Sequence, residues 1–354
     1  MAENRKYVGQ WISVVGIDGK SHSGVCCRWL GHPAQPLQGW PGTGFHRISS
    51  RLVTYFKSKS GKLAAWPIAR LTLIDTSVLQ CNLHSHTYRC KHATGDAIDY
   101  VRCADQAGAL VYGVSDHAPM PDGRHHSVRM EMSELDGYQQ AVRDAQAAFP
   151  KLHVMLALEC EDFPEYRGFY QEEILGRRQF DYLVGAAHYT PFGGAWMNSY
   201  EGLDRPDRLR AYSDHLCTMM ESGLYAFIAH PDIFGCSNEF WTEDLTACSQ
   251  DILAAAESSA VPLEVNGSGF RKPAARTSSG SRPQYPWLPF WELAGDYDIS
   301  VVCNSDAHRP EDALANLDDA LAVAHQFNLS LADLSRLGVA YGVKIGPDGP
   351  VETH

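Results

Sequence analysis

The sequence predicts an α/β fold in which parallel strands close into a barrel, because short apolar runs alternate with helical stretches from residue 77 onward. Each run is rich in β-branched or large apolar residues and ends at a polar or charged side chain, which is typical of a buried strand. Seven or eight such units in about 270 residues favour closure over an open sheet. The predicted strands are SVLQCNLHSH, ALVYGVSDH, HVMLALE, FDYLVGAAH, LYAFIAHPD, VPLEVN and DISVVCNSDAH.

The stretches between these strands carry helix start and stop signals. Thr94, Ser133 and Thr242 are the predicted N-caps, and Gly108 and Gly223 mark two helix ends. A later segment, SGFRKPAARTSSGSRPQYPWLPF, is rich in Ser, Pro and Arg, and we expect such an insertion to lie over a functional site. The predicted helices are TGDAIDYVRCADQAG, SELDGYQQAVRDAQAAF, RPDRLRAYSDHLCTMMESG and TEDLTACSQDILAAAESS.

Residues 1–76 differ in composition from the rest of the chain. They contain ten Lys or Arg against three acidic residues, a balance of +7, and because the whole chain carries −12 the remainder carries −19. We predict a basic Gly/Pro/Ser-rich extension of uncertain structure here, followed by a barrel domain over residues 77–354. A misassigned start, a small accessory or oligomerisation module and a transit peptide stay open as alternatives.

The composition argues against several classes of protein. The chain has no run of 18 apolar residues and no secretory signal, so the sequence predicts a cytoplasmic protein without a membrane partner. Ten cysteines without a C-x-x-C pair favour reduced thiols over a disulfide scaffold. The net charge of −12 disfavours nucleic acid as a partner. None of these features indicates an oligomeric state.

The predicted strands end in side chains that bind metal ions. In barrels of parallel strands the carboxyl ends meet on one face, where the active site lies. Imidazole and carboxylate groups are ligands that zinc, iron and manganese accept. At least six strands end in Asp, Glu or His. This number favours joint coordination of metal ions by these residues over independent placement of each residue on the surface. The strand-end residues are His84, His86, Asp116, His117, Glu159, His188, His230, Asp232, Asn266, Asp306 and His308.

These motifs resemble the PHP family (polymerase and histidinol phosphatase), and within it the histidinol-phosphate phosphatases. The resemblance extends from about Leu79 to Ser335. It implies a distorted (β/α)7 barrel with two to three divalent ions, zinc, manganese or iron, at its mouth. The matching motifs are NLHSHT, RCKHATG, GVSDHAPMP, ALE, AAHY, AHPDIFG, EVNGSGFR, FWELA and CNSDAHRPED.

The resemblance also implies which residues hold each ion, including an early histidine, His92, outside the HxH motif. The implied sets are His84, His86, Glu159 and Asp306 for the first ion, Glu159 with His188 and His230 for the second, and His92, His117 and His308 for the third.

The chain departs from many relatives at two positions. Asn82 stands where they carry an acid, and we expect this position to tune the ligands without abolishing the site. An arginine found in some relatives after the fifth strand is missing from PDIFGCSNEF. Phosphate binding is therefore predicted to rest on other cations. Arg271 matches the family's arginine after the sixth strand and is the first choice. Arg129 is the second, with an ordinary loop cation as its alternative.

The implied reaction is hydrolysis of a phosphate monoester. Divalent ions neutralise the phosphate oxygens and lower the pKa of a bound water, so a metal-bridging hydroxide would attack in line, with Arg271 compensating the remaining charge. Glu159, Asp306 and Asp232 are the predicted catalytic residues. Asp232, His125 and His126 are unranked candidates for the group that protonates the leaving alkoxide.

The implied substrate is L-histidinol phosphate, which water would convert to L-histidinol and phosphate in histidine biosynthesis. Its imidazole and amine would suit an acidic, aromatic-lined pocket, to which Glu161, Asp162, Tyr189 or Trp196 could contribute. Two alternatives stay open: a PHP hydrolase of another phosphoester, such as a nucleotide or a 3′ end, and a non-catalytic metal-binding barrel. A general amidohydrolase barrel fits the ligand order less well.

Overall fold

The computed structural model describes residues 81–278 and 280–333, together with the backbone of short strands outside them. The chain divides into two compact units, Met1–Thr76 and Ser77–His354. In the first unit, β1 (Val8–Val15) pairs antiparallel with β2 (Ser21–Arg28). A second antiparallel sheet contains β3 (Phe45–Ile48), β4 (Arg51–Lys57) and β5 (Leu63–Pro67). That this unit is an appended extension stays a prediction.

The second unit is built on one sheet of eight strands in which every neighbouring pair is parallel. All seven predicted strands are present, so the predicted α/β fold with a curled parallel sheet is confirmed. The eighth, β17, was not predicted because its two residues form no apolar run. In sheet order the strands are β6 (Cys81–Asn82), β7 (Val111–Val114), β8 (His153–Glu161), β9 (Tyr182–Ala186), β12 (Phe227–Ile228), β13 (Leu263–Asn266), β16 (Ser300–Asn304) and β17 (Ser330–Leu331).

The sheet curls until its first and seventh strands meet. Ser85 and Ala307, just beyond the ends of β6 and β16, form a parallel bridge. The His86 N–H donates to the Ala307 carbonyl at 2.9 Å. This junction brings the loop after the first strand and the loop after the seventh to one place.

In the second unit, the described strands also form three short antiparallel hairpins outside this sheet. They are β10 (Tyr189–Phe192) with β11 (Ala195–Asn198), β14 (Ala275–Thr277) with β15 (Gly280–Arg282), and β18 (Ile345–Gly346) with β19 (Gly349–Pro350).

Helices connect the strands, and their caps differ in part from the predicted ones. Thr242 is an N-cap whose side chain accepts from the Leu245 N–H. Asp96 caps α1 instead of Thr94, because its carboxylate forms a reciprocal capping box with Asp99. Ser133 is not a cap, since it lies inside a 3₁₀ turn that leads into α2. The helices are α1 (Ala97–Gln106), α2 (Leu135–Ala148), α3 (Ser199–Gly202), α4 (Pro206–Glu221), α5 (Glu243–Ser259), α6 (Ser268–Arg271), α7 (Leu288–Ala294) and α8 (Leu317–Gln326), with a π-helical segment at Phe169–Arg177.

The core fixes where the functional side chains emerge. Met155 and Ala157 of β8 are buried in the central apolar cluster, and Glu159 follows at the same two-residue spacing. Because side chains of a strand alternate between faces, Glu159 continues the row of these apolar residues. Val184 and Ala186 of β9 are followed in the same way by His188. In the described part of the chain no helix has the length and apolar character needed to cross a membrane.

Candidate metal centre

The centre of the site is the buried carboxylate of Glu159, which is 1% exposed. Histidines from several strand ends surround both of its oxygens. The nearest nitrogen–oxygen distances are 3.4 Å for His84 Nε2, 3.2 Å for His230 Nε2 and 3.6 Å for His188 Nε2 to Oε1, and 3.6 Å for His86 Nε2 and 2.8 Å for His117 Nδ1 to Oε2.

A second carboxylate, Asp306, closes the other side of the cluster. Its Oδ1 lies 3.0 Å from His86 Nε2 and 3.4 Å from His308 Nδ1. The His308 ring stacks on the His86 ring with ring centres 4.1 Å apart, and the ring centres of His92 and His308 are 4.9 Å apart. The structure thus brings all nine predicted metal ligands into one cluster.

The ligand atoms form overlapping groups that differ in part from the implied sets. His117 lies within reach of Glu159 and His188 as well as of His308, and the division of the nine residues among separate ions therefore stays a prediction. The groups whose ligand atoms all lie within 4.8 Å of one another include His84, His86 and Glu159, then His86, His117 and His308, and then His117, Glu159 and His188.

Buried polar atoms without hydrogen-bond partners concentrate at this cluster. They include Asp306 Oδ1, Glu159 Oε2, His86 Nδ1 and His117 Nδ1. Native structures pair nearly all buried polar atoms, so several unpaired ones at one place require an explanation. Coordination of divalent ions would satisfy these atoms, and the residues present fit such ions.

The backbone is strained at two of the predicted ligands. Asp306 has φ of 50° and His230 has φ of 30°, both in the left-handed region that non-glycine residues rarely adopt. Such strain persists where the surrounding structure overdetermines a conformation, and it concentrates at functional sites.

Protonation in the cluster is set by burial and by the neighbouring charges. Burial lowers the pKa of His117 well below its usual value. Burial acts in the same direction on His86, but the nearby carboxylates of Asp116 and Asp306 outweigh it and raise the pKa of His86 to about 9. For Glu159, burial is outweighed by the surrounding imidazoles, which hold the pKa well below its usual range. The site therefore offers ionised carboxylates, and bound cations must compete with protons for His86.

Two further carboxylates contact the Nδ1 atoms of His84 and His188, whose Nε2 atoms lie near Glu159. Glu264 Oε1 lies 2.8 Å from His84 Nδ1, and Glu161 Oε1 lies 2.6 Å from His188 Nδ1. A carboxylate on one ring nitrogen fixes the tautomer and leaves the other nitrogen for an ion. Sequence reasoning missed Glu264, although it precedes the strand-end Asn266 by two residues and thus shares its face of β13.

Asn82, the position at which the chain departs from many relatives, links the first and seventh strands. Its Nδ2 donates to the His84 carbonyl at 3.0 Å, and its Oδ1 accepts from the Ser305 N–H at 2.6 Å. A carboxylate could accept from Ser305 but could not donate to His84. The amide therefore positions the strand that bears His84.

A cavity of about 750 Å³ opens in front of the cluster. Arg129 lines this cavity although it is only 2% exposed. Its Nη2 donates to Glu161, whereas its Nε and Nη1 have no hydrogen-bond partner in the described part of the chain. A buried guanidinium with free donors beside a cavity is suited to an anion.

Arg271 lines the same cavity, but its donors are committed. It fastens α6 to the loop that carries Asp306. The unpaired donors thus favour Arg129 over Arg271, the reverse of the predicted order. The acceptors of Arg271 are the carbonyls of Gly267, Ala315, Ser305 and Asp306 and the Asn316 Oδ1, at 2.6–3.3 Å.

Comparison with known proteins supplies the family. The model of the PHP domain matches residues 82–268, slightly more than half of the chain.

The chain belongs to the PHP family.

Its relatives within this family include a probable histidinol-phosphatase from Deinococcus radiodurans, which is 31% identical over 252 residues that cover 68% of this chain and 91% of the relative. Among solved structures, a putative histidinol phosphatase from Listeria monocytogenes matches with a TM-score of 0.54 and 21% identity, covering 66% of this chain and 96% of that one. A histidinol phosphate phosphatase from Lactococcus lactis, solved with zinc, L-histidinol and phosphate, matches with a TM-score of 0.56 and 15% identity, covering 72% and 95%. The two structures show that the fold is shared.

In this PHP-family chain, Asp232 is not among the described residues that line the cavity. Its Oδ2 accepts from the Trp287 N–H at 2.6 Å and from Trp291 Nε1 at 3.0 Å. Burial raises the pKa of Asp232 to about 6. These contacts fasten the start of α7 to the end of β12, which indicates a positioning role.

Some of the residues predicted to contact the substrate or to donate a proton lie at this cavity, and others lie elsewhere. Tyr189 lines the cavity, and His125 stacks on it with ring centres 3.8 Å apart. His126 lines a separate groove between Met120 and Ser133.

Three of these residues are engaged within the protein. Glu161 is bound to Arg129 and His188. Asp162 pairs with Arg167, and Trp196 packs on Phe163 with ring centres 4.2 Å apart.

Proposed function

We propose that this PHP-family chain is a metal-dependent phosphomonoester hydrolase that converts L-histidinol phosphate and water to L-histidinol and phosphate. The observation that carries the proposal is the convergence of nine histidine and carboxylate ligands beside a cavity lined by Arg129, whose Nε and Nη1 have no hydrogen-bond partner among the described residues. Family membership and the 31% identity to a probable histidinol-phosphatase support it. The reaction would serve histidine biosynthesis in the cytoplasm.

The metal ligands proposed are the nine of the cluster, and the cofactor is two to three divalent ions, zinc, manganese or iron. When bound, such ions neutralise phosphate oxygens and supply a nucleophile at neutral pH by lowering the pKa of water. The zinc recorded in the Lactococcus lactis structure supports this cofactor class. Glu159 holds the centre because its two oxygens face five imidazoles.

Arg129 is the proposed phosphate-binding residue. Its free Nε and Nη1 donors can form charge-assisted hydrogen bonds to phosphoryl oxygens, and Glu161 holds the guanidinium in place through Nη2. Lys272 is a further cation of the cavity lining, with its Nζ 4.9 Å from the centre of the Tyr200 ring. Arg271 keeps the loop of Asp306 in position.

The lining of the cavity includes aromatic and polar side chains, which would suit an imidazole and an amine. Among them are Tyr189, Tyr200, Asn198 and Asp312, whose Oδ2 lies 3.5 Å from Arg271 Nε. The net charge of −12 continues to argue against a long nucleic-acid substrate. A small phosphate ester is therefore the proposed partner.

Steady-state kinetics over a small panel tests the proposal. Zinc- and manganese-loaded protein is assayed for phosphate release from histidinol phosphate, a generic aryl phosphate and a nucleotide. We expect a far higher kcat/KM for histidinol phosphate. Comparable values across the panel, or faster turnover of the nucleotide, would indicate another phosphoester as substrate.

A matched pair of variants tests the phosphate site. Arg129→Lys keeps the charge but loses the planar donor pair, and we expect KM and the inhibition constant for inorganic phosphate to rise by about 10-fold. Arg124→Lys is the control, because Arg124 pairs with Asp122 at the surface of the same loop. Equal phosphate affinity in the two variants would exclude Arg129.

A further inference from the structure

Cys90 lies in the turn that carries His92 into the cluster. The residues Tyr88–Cys90 form a 3₁₀ turn, and Lys91 follows with φ of 72°. This left-handed residue reverses the chain, so the side chains of Cys90 and His92 can approach the same point although one residue separates them. Cys90 is completely buried.

The Cys90 sulfur lies beside ligand atoms of the metal centre. Two other buried cysteines behave differently, because Cys160 donates to the Leu158 carbonyl and Cys248 to the Leu209 carbonyl.

Two groups of metal-binding atoms include this sulfur. Cys90 Sγ lies within 4.8 Å of ligand atoms of His92 and His308 in one group, and of His86 and Asp116 in the other. His86 is 1% exposed, and its Nδ1 has no hydrogen-bond partner within the described residues.

In each of the two histidines grouped with Cys90, one ring nitrogen contacts a backbone carbonyl. His92 Nδ1 lies 2.7 Å from the Cys90 carbonyl, and His308 Nδ1 lies 3.2 Å from the Asp306 carbonyl. Each contact fixes a tautomer with hydrogen on Nδ1, which leaves Nε2 as a possible ligand atom.

We propose that Cys90 is a thiolate ligand of the ion that His92 and His308 hold, and that it gives this position a preference for Zn²⁺ over Mn²⁺. The residue is outside the ligand set that the family resemblance implies. Soft thiolate ligands favour zinc, whereas manganese favours carboxylate and water oxygens. The inference rests on the metal centre of the proposed function and extends it by one ligand.

Binding of the ion would displace the thiol proton to solvent. A thiol that coordinates a divalent cation is deprotonated outright.

Cobalt substitution tests the proposal in the full-length protein. Ion-free protein is loaded with Co²⁺, and its absorption spectrum is compared among wild type, Cys90→Ser and Cys160→Ser. We expect a near-ultraviolet sulfur-to-cobalt band in wild type and Cys160→Ser and its loss in Cys90→Ser. The visible bands of cobalt at the other ligands should persist in all three. Zn²⁺ affinity should fall by at least about 10-fold in Cys90→Ser, with a smaller change for Mn²⁺.

A measurement on wild type alone covers the case in which Cys90→Ser fails to fold. X-ray absorption of the zinc-loaded protein should show a sulfur neighbour at about 2.3 Å in addition to nitrogen and oxygen neighbours at about 2.0–2.1 Å. Bound ions without a sulfur neighbour, or a charge-transfer band that persists in Cys90→Ser, would overturn the role of Cys90 alone. Failure of wild type to bind divalent ions would overturn the proposed metal centre as well.

Discussion

Glu264 is the residue behind the cluster whose replacement gives the sharpest prediction. Its carboxylate is completely buried and accepts four hydrogen bonds. The donors are His84 Nδ1 at 2.8 Å, the His230 N–H at 3.1 Å, Asn266 Nδ2 at 2.7 Å and Asn304 Nδ2 at 2.9 Å. In Glu264→Gln one accepting oxygen becomes an NH₂ group. At least one of the four donors then faces another donor and loses its hydrogen bond.

The magnitude follows from the role of the carboxylate at His84. A carboxylate on Nδ1 keeps Nε2 free for an ion, and loss of such a partner costs about 10- to 100-fold in metal affinity. At 1.4 kcal/mol for each factor of ten, this corresponds to about 1.4–2.8 kcal/mol. Glu264→Gln should therefore bind its tightest zinc ion about 10- to 100-fold more weakly than wild type.

The assay is competition between ion-free protein and a chromophoric chelator for Zn²⁺, with circular dichroism to verify the folded state. Glu257→Gln is the control, because Glu257 accepts only from the surface Asp298 N–H at 2.7 Å and lies outside the ligand cluster. If folded Glu264→Gln and Glu257→Gln bind zinc equally well, the orienting role of Glu264 is refuted.

Three other predictions concern protons and the first unit. In ion-free protein the nearby carboxylates of Asp116 and Asp306 outweigh the effect of burial and raise the pKa of His86 to about 9, so His86 is protonated at pH 7 and zinc must displace this proton. Calorimetry in two buffers should detect the proton release, with affinity falling as the pH decreases, and pH-independent binding would contradict it. Burial raises the pKa of Asp232 to about 6, so the folded state holds more protons than the unfolded state between about pH 4 and 6. The stability of the ion-free wild type relative to ion-free Asp232→Asn, measured by urea unfolding, should fall by up to about 3 kcal/mol as the pH rises through this window, and a constant difference would contradict it. Removal of residues 1–76 should leave kcat/KM and solubility unchanged, and a large loss of either would indicate that the extension supports the second unit.

The fold and the strand-end candidates for metal binding were accessible from the sequence because both follow from periodic patterns, whereas His92 was added by the family resemblance. Apolar runs that end in His, Asp or Glu predicted the parallel strands, and the structure places Glu159 and Asp306 on the same side of the sheet. Glu264 was missed because a carboxylate inside an apolar strand shows its function only through the partners that tertiary structure gives it.

The two arginines show a second reason why part of the site could not be predicted from the sequence. The sequence alone does not show how the guanidinium groups of Arg129 and Arg271 are hydrogen-bonded, because their partners lie in segments distant along the chain. Arg271 donates to the carbonyls of Gly267 and Ala315, whereas Arg129 Nε and Nη1 have no hydrogen-bond partner among the described residues. Asn82 likewise has a structural meaning that only the meeting of the first and seventh strands reveals.

The most direct test of the central claim is to return ions to chelated protein while phosphate release from histidinol phosphate is recorded. We expect ion-free protein, verified by elemental analysis, to be inactive, and we expect the rate to rise with Zn²⁺ or Mn²⁺ and to level off at two to three ions per chain. Full activity in the ion-free protein, or no phosphate release from protein that holds its ions, would contradict the account.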